Sequence, residues 1–405
     1  MNRAVSRAMW RDCFPWVTVL LAVGVTAASS ASRDHNPDEH SLVNFEHTAG
    51  SFLELAQERF EARNGRPATS EEETWTLEGL QLVRVPKAGS SEISLIARRL
   101  GGCTPRGPCC NWPGDPPGSC PAKGLMCPAV VGCTGHHMGD KKLAELKDAN
   151  VFSMTSVRGV VDRMVSGFFY AAPHSPGCAH KEVVHYKGCF TTMTTSPAFQ
   201  NVMAKMFTGQ YAYEGATTLC LDKQQGSEGG GECSVDLEAA IQGACNLNFV
   251  AMCEIWESSV LLLFETLPWL GPTSDFFPIH AADSVVAEEP RLKVHENGDG
   301  AAVVQRQNTG ARHEEGIKHI TPELREAASH ANSVDEALHE FLSAKFCDRL
   351  KEAGLLEEPL VARELATYEV LDRRCNDYTW VNNTLERYKP LTPEDCRLYR
   401  PFVRP

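Results

Sequence analysis

Two short stretches of this 405-residue chain combine residue types that suit an oxyanion. In the first, Pro86-Lys87-Ala88-Gly89-Ser90-Ser91, a lysine, a glycine that lets the backbone come close and two hydroxyls stand directly before a helical pattern. Amides exposed at a helix N-terminus, together with those side chains, make a site for a phosphate or sulfate group. A tight strand-to-helix turn with a capping serine uses the same residue types. Lys87 precedes the glycine and no Gly-x-x-x-x-Gly-Lys-Ser/Thr occurs, which disfavours a nucleoside triphosphatase. The second stretch has Arg158 followed by Arg163 and Ser166. A guanidinium and a hydroxyl are a natural pair for a second phosphate, and they are equally ordinary on a solvated helix. Between the two lies Gly135-His136-His137. A neutral imidazole titrates near the operating pH and suits a general base, while surface histidines or metal ligands beside Cys133 are the other readings of this pair.

The elements that must carry these residues follow from hydrophobic spacing. Leu80 to Val85 reads as a strand, and Ile93, Ile96, Ala97 and Leu100 then fall at i, i+3, i+4 and i+7 of a helix. Val151 to Val157 reads as a second strand, followed by Arg158 and a helix with Val161, Met164, Val165 and Phe168 on one face, leaving Arg163 and Ser166 off that face. Each unit is strand, loop, helix. Arg158 is thereby expected at a strand's C-terminal end, where parallel sheets bind ligands.

Composition bounds the function. With 42% hydrophobic and 22% charged residues the chain has enough apolar content for a sizeable core, and a net charge of -13 argues against a nucleic-acid-binding surface spread over the protein. Sixteen cysteines favour an oxidising compartment. Residues 1–31 carry Arg3, Arg7 and Arg11 before an apolar run from Phe14 to Ala28 and then small residues, which is the pattern of a signal peptide or an uncleaved signal-anchor. Residues 32–78 are polar and acidic, with one amphipathic stretch at Phe52, Leu55, Ala56 and Phe60, and read as a stem. Within the segment 101–135, Cys103, Cys109, Cys110, Cys120, Cys127 and Cys133 stand among many Pro and Gly residues. No Cys-x-x-Cys occurs there, so disulfides are favoured over zinc. Asn382-Asn383-Thr384 is a glycosylation sequon, in agreement with a secretory route.

Val85-Pro86-Lys87-Ala88-Gly89-Ser90-Ser91 and the run from Val157 to Tyr170 resemble the two nucleotide-binding motifs of the Golgi carbohydrate sulfotransferases, the glycan 2-O-sulfotransferase branch in particular. Phe249 to Glu254 with Leu261 to Pro268 looks like that family's later strand and helix, Asn201 to Gly209 like a middle segment, and the helix with Val334, Leu338 and Phe341 like its C-terminal helix. The resemblance covers roughly residues 80–350 with gaps. It departs from the family at Ala88-Gly89-Ser90-Ser91 (usually Thr-Gly-Ser-Thr), at Gly159-Val160 (usually Asp-Pro) and at Glu92, often a serine.

The resemblance implies an α/β, P-loop-like three-layer fold with a central parallel sheet flanked by helices, occupying residues 79–350 with the cysteine-rich insertion inside it, and a C-terminal helical extension at 351–405. It implies 3'-phosphoadenosine-5'-phosphosulfate (PAPS) as co-substrate, leaving as the 3',5'-bisphosphate PAP, with no metal. By match, Lys87, Ala88, Gly89, Ser90 and Ser91 grip the 5'-phosphosulfate, with Lys87 also stabilising the leaving oxygen; Arg158 and Ser166 hold the 3'-phosphate. His136, or else His137, stands where the 2-O-branch carries an essential histidine. Arg306, Asn308 and Thr309 lie in a loop from Lys293 to Arg312, a region that closes over the nucleotide in the family. The implied activity is sulfuryl transfer to a hydroxyl of a glycan acceptor, in a single-pass type II protein of the Golgi membrane with a luminal catalytic domain, or a secreted one if the N-terminal segment is cleaved. The rival from another class is a secreted, cysteine-rich binding protein with a degenerate nucleotide pocket, favoured by Glu92 and the acidic balance.

Overall fold

The computed structural model describes residues 39–67, 79–83, 85, 88–89, 93, 96–97, 100, 132–133, 151–171, 190–191, 193–194, 199–208, 213–214, 217–218, 235–272 and 320–402. The fold is mixed α/β. Four strands, β1 (Gly79–Leu82), β2 (Gly132–Cys133), β3 (Val151–Val157) and β6 (Phe249–Met252), form a parallel sheet in the order β2-β1-β3-β6. A separate antiparallel pair joins β4 (Tyr213–Glu214) to β5 (Thr217–Thr218). Leu80 lies opposite Phe152, and Met154 opposite Phe249.

Residues 152–157 of β3 and all of β6 are buried, so both faces of the sheet are covered, because successive side chains point to opposite faces. The hydroxyls buried in β3 all have partners. Ser153 Oγ donates to Asn248 Oδ1 at 3.0 Å, and Thr155 Oγ1 to the Val83 carbonyl at 2.7 Å. A buried hydroxyl left without a partner would oppose folding, which is why a strand this polar can sit at the sheet's centre.

The helices are α1 (Glu39–Asn64), α2 (Val160–Ala171), α3 (Val202–Phe207), α4 (Leu237–Cys245), α5 (Trp256–Thr266), α6 (Pro322–Ala331), α7 (Ser333–Glu352), α8 (Pro359–Ala366), α9 (Glu369–Asn376) and α10 (Tyr378–Tyr388). Local chemistry sets several of their starts. Asp236 caps α4 by accepting from Glu238 N, Thr321 caps α6 ahead of Pro322, and Asp377 caps α10. Ile93, Ile96, Ala97 and Leu100 are helical and buried, as their spacing predicts.

Part of the polar 32–78 segment is packed rather than free. Phe52, Ala56 and Phe60 of α1 are buried, Arg59 and Arg63 both pair with Glu265 of α5, and Arg59 also reaches Glu358, so buried apolar side chains and ion pairs seat this otherwise charged helix. The helices of the 351–405 segment share the core: Val361, Leu365, Leu371 and Val381 are buried with the residues of the sheet. Among the described residues two cysteine pairs lie at disulfide distance, Cys245 with Cys396 and Cys347 with Cys375. The chain then runs along the edge of β6. Tyr399 N donates to the Asn248 carbonyl at 2.9 Å, its hydroxyl to the Val250 carbonyl at 2.6 Å, and the Phe402 ring stands edge-on to Phe152. In the sequon, Asn382 is exposed and Thr384 is buried in α10. No helix among the described residues is long and apolar enough to cross a membrane, and residues 1–31 lie outside them.

Candidate functional site

Strand order locates the site. From β1 the chain passes to β2 on one side and then to β3 on the other, so the sheet's connection reverses between β1 and β3. In open α/β sheets the crevice outside the carboxyl ends of two such strands is where ligands bind. Here β1 leads to Ala88 and Gly89, and β3 leads to Arg158 and Gly159. The two stretches singled out by residue type therefore meet at the topological switch point.

One hydrogen bond joins them directly, and each also meets residues that follow β6. Ser156, at the end of β3, donates its hydroxyl to the Ala88 carbonyl. Gly89 has φ of 68°, a left-handed conformation open to glycine, and a Cβ there would stand 3.1 Å from Cys253 Sγ and 3.6 Å from the Trp256 ring. Ile93 N donates back to the Gly89 carbonyl at 3.0 Å, so the helix starts at this glycine. Gly159 begins α2 in the same way, with Arg163 N donating to its carbonyl at 2.8 Å. Its own N–H donates to Glu254 Oε1 at the end of β6.

Arg158 is half-buried and makes no hydrogen bond or ion pair among the described residues. Ser166 is 7% exposed, and its hydroxyl likewise has no partner among them. Arg163 and Ser166 are both buried, where the apolar spacing leaves them off the packed face. The reason is a partner distant in sequence: Arg163 Nη2 pairs with Asp335 Oδ2 at 3.0 Å, and Asp335 also accepts from Met203 N and Ala204 N at the start of α3. Arg163 is thus committed to the fold, whereas Arg158 has no such partner among the described residues. Lys87, Ser90, Ser91, Glu92, His136, His137, Arg306, Asn308 and Thr309 lie outside the described residues.

Two carboxyl groups absent from the residue-type reading stand at this end of the sheet. Burial pushes the Glu254 carboxyl above its ordinary value, while the Gly159 amide and the Arg158 charge pull it back. Its Oε2 is buried with no partner among the described residues. Glu364, from α8, accepts from Glu257 N at 3.0 Å and Ser258 N at 2.7 Å and so caps α5. Burial, then a hydrogen bond from Glu257 and its charge, raise the Glu364 carboxyl well above 4.5. Position directly after a strand was the signal available for Glu254; Glu364 had none, since its partners lie about a hundred residues away. His339 of α7 is held down to about 4, by burial first and the Arg374 charge second, which keeps this imidazole neutral.

A cleft of about 680 Å3 lies elsewhere, lined by Lys345 and Arg349 of α7 and by Tyr399 and Arg400, next to the start of β6, and holds none of the candidate residues. Among the described residues no cluster of His, Cys, Asp or Glu could hold a metal ion. No protein-family model, curated protein or solved structure matches the chain.

Proposed function

We propose that the protein is a PAPS-dependent sulfotransferase acting on a hydroxyl of a carbohydrate acceptor, on a P-loop-like three-layer fold. One observation carries the reading: the two oxyanion-suited stretches, 69 residues apart as counted from Gly89 to Arg158, adjoin at the sheet's switch point and are tied by the Ser156 bond to Ala88. Sulfuryl transfer needs little covalent help from a protein. It needs an acceptor hydroxyl in line with sulfur, positive charge at the leaving phosphate oxygen and a base for the proton. Gly89 and the helix that starts there supply backbone amides for the 5'-phosphosulfate, with Lys87, Ser90 and Ser91 as its side-chain ligands. Arg158 and Ser166, both without partners among the described residues, hold the 3'-phosphate. His136 takes the acceptor proton, with His137 as the alternative, and Arg306, Asn308 and Thr309 cover the nucleotide.

The setting in which this happens is luminal. Two disulfide-distance pairs suit an oxidising compartment, with the N-terminal segment as anchor or cleaved signal. The test is transfer of labelled sulfate from PAPS to a panel of glycans, beside a PAP titration. Transfer by the wild type and its loss in Lys87→Ala, where a missing preorganised charge costs about 3 kcal/mol of transition-state stabilisation, support the mechanism. PAP binding with no transfer to any acceptor would instead favour a binding protein with a degenerate pocket, and absence of PAP binding would refute the nucleotide assignment.

A further inference from the structure

Glu254 is the residue at the sheet's carboxyl edge whose contacts the chemistry above leaves unused. It follows β6 by two positions, yet its carboxylate reaches the turn between β3 and α2 and accepts the N–H of Gly159 through Oε1. Gly159 is the residue from which α2 starts, so its N–H belongs to the peptide that links it to Arg158. Holding that N–H fixes the plane of the Arg158–Gly159 peptide, and with it the direction in which the Arg158 side chain leaves the backbone. The fit is close: a Cβ on Gly159 would stand 3.1 Å from Oε1, so the carboxylate would have to shift by a few tenths of an ångström to admit one.

The carboxylate and guanidinium are near enough for the Arg158 charge to act on Glu254, yet no hydrogen bond joins them among the described residues. A carboxylate spent on the guanidinium would take up the donors a phosphate needs. Spent on the backbone, it orients the arginine and leaves those donors open.

We infer that Glu254 is a positioning residue for Arg158, fixing the Arg158–Gly159 peptide from the end of the neighbouring strand so that the guanidinium is presented to the 3'-phosphate. This rests on the sulfotransferase reading. Reach, not charge, is then the property that matters. Gln at 254 keeps both the length and a carbonyl oxygen for the Gly159 N–H, whereas Asp keeps the charge and is one methylene too short.

The experiment titrates PAP into the full-length wild type, Glu254→Gln and Glu254→Asp, with thermal melts of each free protein and PAPS and acceptor KM values alongside. Glu254→Gln is expected to bind PAP within about twofold of wild type, and Glu254→Asp about tenfold more weakly, as for a lost hydrogen bond to a charged group. The PAPS KM should follow that loss, with the acceptor KM unchanged. Equal binding by both variants and the wild type overturns the inference, as does weak binding by Glu254→Gln beside normal binding by Glu254→Asp. Melting of Glu254→Asp at the wild-type temperature with weakened PAP binding supports positioning over a merely structural role. A wild type that binds no PAP removes the nucleotide reading itself, a result distinct from failure of the Glu254 pattern.

Discussion

Replacing Asp335 by alanine should be among the most destabilising single changes open to this protein. Its carboxylate is fully buried and takes three donors: Arg163 Nη2 at 3.0 Å, Met203 N at 3.1 Å and Ala204 N at 2.8 Å. Lys205 is buried close by, and the Asp335 charge is what favours its protonated form against burial. Removing Asp335 leaves two buried cations without the carboxylate that faces them. Breaking a buried pair from one side costs about 3–5 kcal/mol. The start of α3 loses its cap at the same time, for about 1 kcal/mol more. The sum of roughly 4–6 kcal/mol compares with a total stability of about 5–15 kcal/mol for a typical domain, so the variant should sit near its unfolding threshold. Urea unfolding followed by far-ultraviolet circular dichroism measures this, as a fall in the midpoint at unchanged slope. PAP binding should weaken in parallel, because α2 carries Ser166 one turn beyond Arg163. A loss below about 1 kcal/mol would refute the reasoning and mean that the interior is wet enough to screen both cations.

Three further outcomes are expected. Ser156→Ala leaves the Ala88 carbonyl without its buried donor, so it should cost about 1–3 kcal/mol in urea unfolding and weaken PAP binding, and unchanged PAP affinity would detach β3 from the first loop. Glu364 has a folded-state pKa raised above 4.5, so the folded state binds more protons than the unfolded one and stability falls as pH rises from 4.5 through the folded value. Glu257→Gln removes the like charge against Glu364 and should flatten that fall in melts taken across the pH range, whereas a parallel profile would show that the two carboxyls do not interact. Cys375→Ser opens a 28-residue loop and should cost about 3.6 kcal/mol by the chain-entropy relation, read as a drop in melting temperature smaller than the one reducing agent causes in the wild type, where the Cys245–Cys396 pair opens as well.

How much of this was legible depended on how far apart the partners lie in the chain. Val151 to Val157 is a strand over the same seven residues that its pattern marks, and Ile93, Ile96, Ala97 and Leu100 fall on a buried face, because these signals are local. β1 closes at Leu82, short of Val85, although Val83 N still donates to the Met154 carbonyl, so the strand turns into the loop while pairing persists. Arg163 defeated the periodicity since its burial is set by Asp335, 172 residues later. α1 looked like a solvated stem because its charges dominate its composition, and what seats it is Glu265, some two hundred residues on. At the candidate site, Gly89 and Arg158 were singled out from residue type alone. Glu254 and Ser156 were not, since each acts on a backbone group of another strand's loop.

The stretch from Cys396 to Phe402 also governs how the protein can be made. Among the described residues β6 pairs with β3 and with no other strand, and Tyr399 takes the Asn248 and Val250 carbonyls. An open strand edge is a template for pairing with another chain. Cys245 and Cys396 are separated by 151 residues, so at ordinary translation rates about 8–30 s pass between synthesis of β6 and arrival of the segment that shields it. A nascent chain stalled before residue 396 would therefore present the open edge of β6 to chaperones or to its neighbours.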